Sequence, residues 1–168
     1  MFKLSPSIDS TVVKNHPPTR ATRDGYGEGL LELGKENPCV VVLTGDLAES
    51  TRVLPFAQKF PERFIECGVA EQNMMGMAAG LAFAGKIPFV SSYAVFVPGR
   101  NWDQLRVSVC YGRANVKIAG AHTGISVGPD GATHQALEDL AITRVLPQLV
   151  VLVPCDAEET RKCTHAVA

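Results

Sequence analysis

The chain has 168 residues, of which 46% are apolar and 20% are charged, and its formal net charge at neutral pH is −1. This profile is typical of one folded domain with a buried core and excludes a disordered chain. No basic cluster interleaved with aromatic residues indicates a nucleic-acid surface, and no apolar run is long enough to cross a membrane. The sequence also lacks the apolar stretch of a secretory signal, which predicts a cytoplasmic protein.

The five cysteines occur singly, and the sequence contains no CxxC pair. This spacing favours reduced thiols over a disulfide framework. It also fails to meet the spacing rules for zinc, so we predict no metal site on this chain.

Residues 1–20 are polar and lack periodicity, and we interpret them as an N-terminal arm that precedes a single domain over residues 21–168. In chain order, the domain is predicted to contain a helix (23–36), two strands (39–44 and 64–67), a helix (70–83), a strand (88–92), a helix (102–110), a strand (115–120), a helix (135–145), a strand (149–154) and a helix (156–167). The strands are short and almost continuously apolar, as expected for strands buried on both faces. Their alternation with helices predicts an α/β fold, with a mostly parallel, five-stranded sheet and helices on both faces.

Glu71 follows the end of a predicted strand and begins a predicted helix. The carboxyl ends of parallel strands form the ligand-binding edge of such a sheet. A glutamate in the first turn is often only a favourable helix-end charge. The helix that follows is apolar almost all round, however, which predicts that it is buried and that Glu71 is removed from solvent. A desolvated carboxyl that can share a proton is a useful catalytic group.

Two later segments also follow strand ends and carry groups that could bind a ligand. Tyr93 and Phe96 either pack in the core or form a platform for a flat heterocycle. The Gly-rich segment 120–135 holds His122, Asp130 and His134. It lacks the GK[ST] ending of a P-loop, and its imidazole and carboxylate groups are better suited to a polyhydroxylated substrate.

The motifs TGDLAES, FIECGVAEQNMMGMAAGLA, FVSSYAVFVPGR, HTGISVGPDGATHQALEDLA and VLVPCDAEET occur in this order along the chain. In content and in order they resemble the pyrimidine-binding domain of transketolase, from about residue 21 to the end of the sequence. The chain is similar in particular to the C-terminal subunit of split transketolases. The resemblance implies the thiamine-diphosphate-binding fold and the transfer of a two-carbon ketol unit between sugar phosphates.

The resemblance also implies how this chain contacts the cofactor, thiamine diphosphate. Glu71 would hydrogen-bond ring nitrogen N1′ of the aminopyrimidine and thereby activate the cofactor, which is a proton-sharing role. Phe96 and Tyr93 would pack on the pyrimidine ring. Asp46 would lie near the thiazolium side.

For the substrate, the resemblance implies a second group of residues. His122 and His134 would match two loop histidines of the family, with His134 as a catalytic proton carrier, and Asp130 would read a hydroxyl of the ketose. Arg23 and Ser50 would hold the sugar phosphate at the far end of the channel, a role that suits the bidentate arginine side chain.

Two related enzymes share parts of this pattern. The 1-deoxy-D-xylulose-5-phosphate synthase has similar GVAEQ and THQ motifs, and the β subunit of pyruvate dehydrogenase shares the glutamate and the fold. His122, Arg23 and the EDLA sequence after THQ favour transketolase. A non-catalytic assembly module is a further alternative, against which the complete set of motifs argues.

No segment of the chain resembles the GDG…N motif that binds the diphosphate of the cofactor through a metal. The resemblance therefore implies a partner subunit that carries this site with magnesium or calcium, in a homodimer or heterotetramer whose active site lies between chains. The chain also ends where the family would continue into another strand. We accordingly expect a truncated subunit that is inactive alone.

Overall fold

The computed structural model describes residues 19–168, so the predicted arm, residues 1–20, lies almost wholly outside the described residues. The helices are α1 (Thr22–Glu36), α2 (Leu54–Lys59), α3 (Glu71–Phe83), α4 (Trp102–Gln104), α5 (Asp139–Arg144) and α6 (Ala157–Ala166). Helix α4 continues directly as a π-helical segment, Leu105–Tyr111, and 3-10 turns cover Pro61–Arg63 and Gly131–His134. The strands are β1 (Val40–Thr44), β2 (Phe64–Glu66), β3 (Ile87–Tyr93) and β4 (Lys117–Ala121). No helix in this part of the chain is long and apolar enough to cross a membrane.

The four strands form one parallel sheet in the order β2-β1-β3-β4. Side chains alternate between the two faces along β1, as the strand period requires. Val41 and Leu43 pack in a core with α3 and the π-helical segment, whereas Val40 and Val42 pack in a second core with α1 and α2. The predicted fold, a parallel sheet covered by helices on both faces, is confirmed.

The sheet topology brings the loops after the strands to one edge. Strand β1 is followed along the chain by β2 on one side, and the chain then crosses to β3 on the other side of β1. Such a switch in direction opens a crevice at the carboxyl ends of the central strands. Most of the candidate residues predicted from the sequence lie at or after these ends, whereas Arg23 lies in α1.

The fifth predicted strand, residues 149–154, is wrong. Within residues 19–168 this segment pairs with no strand, and Val150 and Val153 are 79% and 67% exposed. A cleft of about 1330 Å³ is lined by this segment on one side and by β4 on the other. An apolar run becomes a strand only when a neighbouring edge satisfies its backbone hydrogen bonds, and no strand of the described residues pairs with this segment.

Two of the predicted helices also differ from the structure, and one observed helix was not predicted. The helix predicted at 135–145 is only the six-residue α5, because the backbone before it forms a 3-10 turn and an extended residue, Gln135. The helix predicted at 102–110 is mostly π-helical. Helix α2 was not predicted, since it is short and contains Pro55, which lies in the first turn where no helical hydrogen bond is lost.

Candidate active site

Glu71 is the first residue of α3 and is 5% exposed, so the prediction that it is removed from solvent is confirmed. The prediction that α3 is buried all round is wrong, because Gly76 and Gly80 have open space in front of them and Met77 is 37% exposed. Only one face of α3, with Met74 among its residues, packs on the sheet. Burial of Glu71 therefore results from its place at the sheet edge rather than from an apolar helix.

The Glu71 carboxylate is held by an arginine that the sequence analysis did not select. Arg100 Nη1 donates to Glu71 Oε1 at 2.8 Å, and the side chains are 48% and 6% exposed respectively. The Arg100 guanidinium also lies over the Phe96 ring, 4.0 Å from its centroid. Asn101, which is fully buried, donates from Nδ2 to the Glu71 carbonyl at 3.1 Å and ties this loop to the start of α3.

Four aromatic and imidazole rings form a cluster next to this ion pair. Tyr93, the last residue of β3, and Phe96 have nearly parallel rings, with centroids 5.9 Å apart. His134 meets the Phe96 ring edge-on at 5.3 Å, and His122 lies 4.2 Å from Tyr93. Phe96 is only half-buried, and it contacts both His134 and the guanidinium of Arg100.

His122 extends the cluster towards Arg23 and Ser50. Arg23 Nη1 lies 3.4 Å from His122 Nε2 and donates to the Ser50 carbonyl at 3.1 Å. Because arginine can only donate, a hydrogen bond here requires His122 Nε2 to accept, which corresponds to a neutral imidazole with its proton on Nδ1. Burial of the ring, and secondarily the charge of Arg23, lower the pKa of His122, whereas Asp130 raises it. His122 Nδ1 is buried and has no hydrogen-bond partner among the described residues.

Two of the predicted site residues lie at the margin of this arrangement. Asp130 is exposed and precedes the 3-10 turn that carries His134, and its charge acts on His122. The Asp46 side chain makes no hydrogen bond to another residue of the described chain. Its backbone N–H donates to Glu66 Oε1 at 2.7 Å, and the Gly68 N–H donates to the same oxygen at 3.0 Å. Glu66 therefore fixes the loops after β1 and β2 against each other.

Arg100, Asn101 and Glu66 are site residues that sequence reasoning missed. Arg100 is 29 positions from Glu71, and no local pattern marks an arginine in a loop as the partner of a particular carboxylate. Glu66 lies in a predicted strand, and nothing in the sequence distinguishes it from any other polar residue of a strand. Asn101 directly precedes a helix, a position that favours a local cap, but its side chain makes no cap hydrogen bond and binds the distant Glu71 carbonyl instead.

The chain is similar to a known protein family and to several of its members. A family model described as the transketolase pyrimidine-binding domain matches residues 19–168. A putative transketolase C-terminal section of Methanocaldococcus jannaschii is 52% identical over 149 residues, covering 89% of this chain and 47% of that protein. One of the subunits of an apulose-4-phosphate transketolase from Phocaeicola vulgatus is 41% identical over 142 residues, covering 84% of this chain and 46% of that protein.

Among solved structures, a split-gene transketolase described as an inactive beta4 tetramer superposes with a TM-score of 0.78 at 53% identity. The match covers 89% of this chain and 48% of that chain. The transketolase of Leishmania mexicana gives a TM-score of 0.80 at 29% identity, covering 89% of this chain and 24% of that chain. The chain thus spans about half the length of the split relatives that it matches.

Proposed function

The chain belongs to the transketolase family, whose pyrimidine-binding domain it matches over residues 19–168, and we propose that it supplies the aminopyrimidine half of a thiamine-diphosphate site. The reaction would be the transfer of a two-carbon ketol unit between sugar phosphates. We assign this role to the domain over residues 21–168.

The observation that carries the proposal is a buried carboxylate beside a half-buried aromatic ring. Glu71 is 5% exposed, and Phe96 is half-buried and lies within reach of the same arginine side chain. A flat, nitrogen-containing ring needs a face on which to stack and an acceptor for a ring N–H, and these two residues offer both. The residues present therefore fit the aminopyrimidine.

Bound thiamine diphosphate supplies a carbon nucleophile that can accept and release the ketol unit. The contribution of this chain is to orient the ring and to hold a proton at Glu71, whose carboxylate is kept away from water at the start of α3. Phe96 and Tyr93 form the packing surface for the pyrimidine. Asp46 lies in the loop that Glu66 fixes after β1, and we propose it for the thiazolium side.

We assign the substrate to the side of the cluster that carries the histidines. His134 and His122 would exchange protons and hydrogen bonds with the hydroxyls of the sugar, and the buried, unpartnered Nδ1 of His122 offers a donor for this purpose. Asp130 would accept from a hydroxyl. Arg23, with Ser50 beside it, would bind the phosphate at the far end.

We further propose that a partner subunit completes the site by binding the diphosphate with magnesium or calcium. The described part of the chain offers no cluster of three or more ligands for a metal ion. It does expose apolar side chains on α3 and the π-helical segment, where Met77, Phe83, Val107 and Tyr111 are between 37% and 87% exposed. Exposed apolar side chains on elements that pack against each other are a feature of protein interfaces. The tetramer described for the split-gene relative supports an oligomer here as well.

The proposal is tested by titrating the chain with thiamine diphosphate and magnesium, with and without the partner subunit, while ketol transfer between sugar phosphates is followed. We expect activity only when both subunits are present. In that complex Glu71→Gln should lower kcat by about 10²- to 10⁴-fold, the usual size of a proton-transfer contribution. Glu36→Gln, an exposed glutamate in the last turn of α1, is the matched control. Full activity of the Glu71 variant would contradict the proposal.

A further inference from the structure

Arg100 makes both of the contacts that the proposed function assigns to the pyrimidine ring. Its guanidinium stacks over the Phe96 ring at 4.0 Å from the centroid, and it donates to Glu71 Oε1 at 2.8 Å. A guanidinium is planar, cationic and rich in N–H donors, and so is a protonated aminopyrimidine. The side chain therefore resembles the ring in shape, in charge and in hydrogen bonding.

We propose that Arg100 is a positioning residue that occupies the place of the pyrimidine in the cofactor-free chain and is displaced when the ring enters. This inference rests on the proposed function of Glu71 and Phe96. It adds a residue that sets the affinity of the site, because each ring that binds must first break the Arg100 contacts.

Glu71 and Arg100 differ in their freedom to move, and this difference determines which side chain is displaced. Glu71 is fixed by the backbone of α3 and by Asn101, and its side chain is 6% exposed. The Arg100 side chain is 48% exposed, so its guanidinium can turn outward into water without leaving a buried charge. Replacement of Arg100 therefore leaves the Glu71 carboxylate in place as an acceptor. It removes the side chain that competes with the pyrimidine ring for this carboxylate.

The Arg100 backbone, in contrast, is held in position. Its N–H donates to the Phe96 carbonyl at 2.8 Å, and its carbonyl accepts from Gln72 Nε2 at 3.3 Å. Displacement is therefore a side-chain rotation rather than a loop movement. The guanidinium remains close enough to return when the ring leaves, so Glu71 is never left buried and unpaired.

The test uses the full chain and the pyrimidine half of the cofactor, 4-amino-5-hydroxymethyl-2-methylpyrimidine, with binding followed by NMR titration. Arg100→Gln should bind this probe roughly tenfold more tightly than the wild type, as expected when a half-exposed ion pair and a cation–π contact no longer compete. Arg100→Lys, which keeps the charge but loses the planar group, should fall between the two. Arg106→Gln is the matched control, since Arg106 also pairs with a carboxylate and lies over an aromatic ring.

A second readout follows the displacement itself. The Nε–H resonance of Arg100 should move, on addition of the probe to the wild type, towards the position of an exposed arginine, and the Arg106 resonance should stay. In a Glu71→Gln background, Arg100→Gln should increase the affinity for the probe much less, because Arg100 no longer pairs with a carboxylate at position 71.

The outcomes separate this inference from the function on which it rests. If the wild type binds the probe and Glu71→Gln weakens that binding, but Arg100→Gln binds no more tightly, then the displacement model is wrong and the proposed function stands. If the probe binds neither the wild type nor any variant, the displacement model and the proposed function are both wrong. A tighter Arg100→Gln variant with an unmoved Arg100 resonance would also overturn the displacement model.

Discussion

His122 shows how neighbouring groups at the site set the charge of a single residue. Burial of the ring is the main cause of its lowered pKa, and Arg23 adds to the effect while Asp130 opposes it. We therefore expect Arg23→Gln to raise the pKa of His122 and Asp130→Asn to lower it further. An NMR titration of the imidazole checks both directions, with Arg106→Gln as a distant control. Shifts of the same sign in the two variants would contradict this account.

The same lowered pKa has a consequence for stability. Below pH 6.5, the ordinary value for histidine, the unfolded chain binds a proton at His122 that the folded chain does not. The free energy of unfolding should therefore fall as the pH decreases from 6.5 through the lower folded pKa. His122→Gln should remove this part of the acid sensitivity. Urea unfolding at several pH values measures it, and an unchanged slope in the variant would argue against the pKa shift.

Tyr26 carries a buried hydroxyl that links α1 to the centre of the sheet. Its OH lies 2.6 Å from Ser91 Oγ, and burial raises the pKa of Tyr26. Tyr26→Phe should cost about 1–2 kcal/mol in the free energy of unfolding, because the Ser91 hydroxyl loses its buried partner. Tyr111→Phe, at an 87% exposed position, should cost almost nothing. Chemical denaturation compares the two, and equal losses would contradict the role of the hydrogen bond.

At the scale of elements, glycine allows α1 and α6 to approach closely. A Cβ atom on Gly25 would lie 1.8 Å from the Ala157 carbonyl oxygen, which is part of the backbone and cannot turn aside. Gly25→Ala should destabilise the chain by about 1–3 kcal/mol or more, as overpacking does. Gly76→Ala is the matched control in α3, since nothing lies within 4 Å of its added Cβ. That variant should gain about 0.5–1 kcal/mol from helix propensity. Thermal unfolding of both variants distinguishes packing from propensity.

The strand that the sequence predicted wrongly shows where local reasoning fails. The runs at 39–44 and 149–154 are equally apolar, but only the first finds sheet neighbours on both sides. Whether an apolar run becomes a strand depends on pairing with residues far along the chain, which periodicity does not record. Val150→Ala should therefore cost less than about 0.5 kcal/mol, whereas Val90→Ala in β3 should cost about 2 kcal/mol. Similar losses in urea unfolding would place residue 150 in a core.

At the scale of the whole molecule, the sequence predicts the edge of the sheet at which the site lies. It predicts the contacts between the site residues less well. Tyr93 ends β3, and Glu71 and His122 follow strand ends, so a parallel sheet brings all three to one edge whatever the details of packing. The Arg100 contact joins the start of α3, which follows β2, to the loop after β3, although these two strands lie on opposite sides of β1. The order of strands is not a local property, and the ion pair could not be predicted without it.

The central claim is that Glu71 of this chain activates a cofactor whose other half is bound by a partner. The most direct measurement is the rate at which the proton on the thiazolium carbon of bound thiamine diphosphate exchanges with deuterium, in the chain combined with its partner. Glu71→Gln should slow this exchange by about 10²- to 10⁴-fold at saturating cofactor, while Glu36→Gln should match the wild type. Exchange at the wild-type rate in a Glu71→Gln complex that is saturated with cofactor would contradict the account.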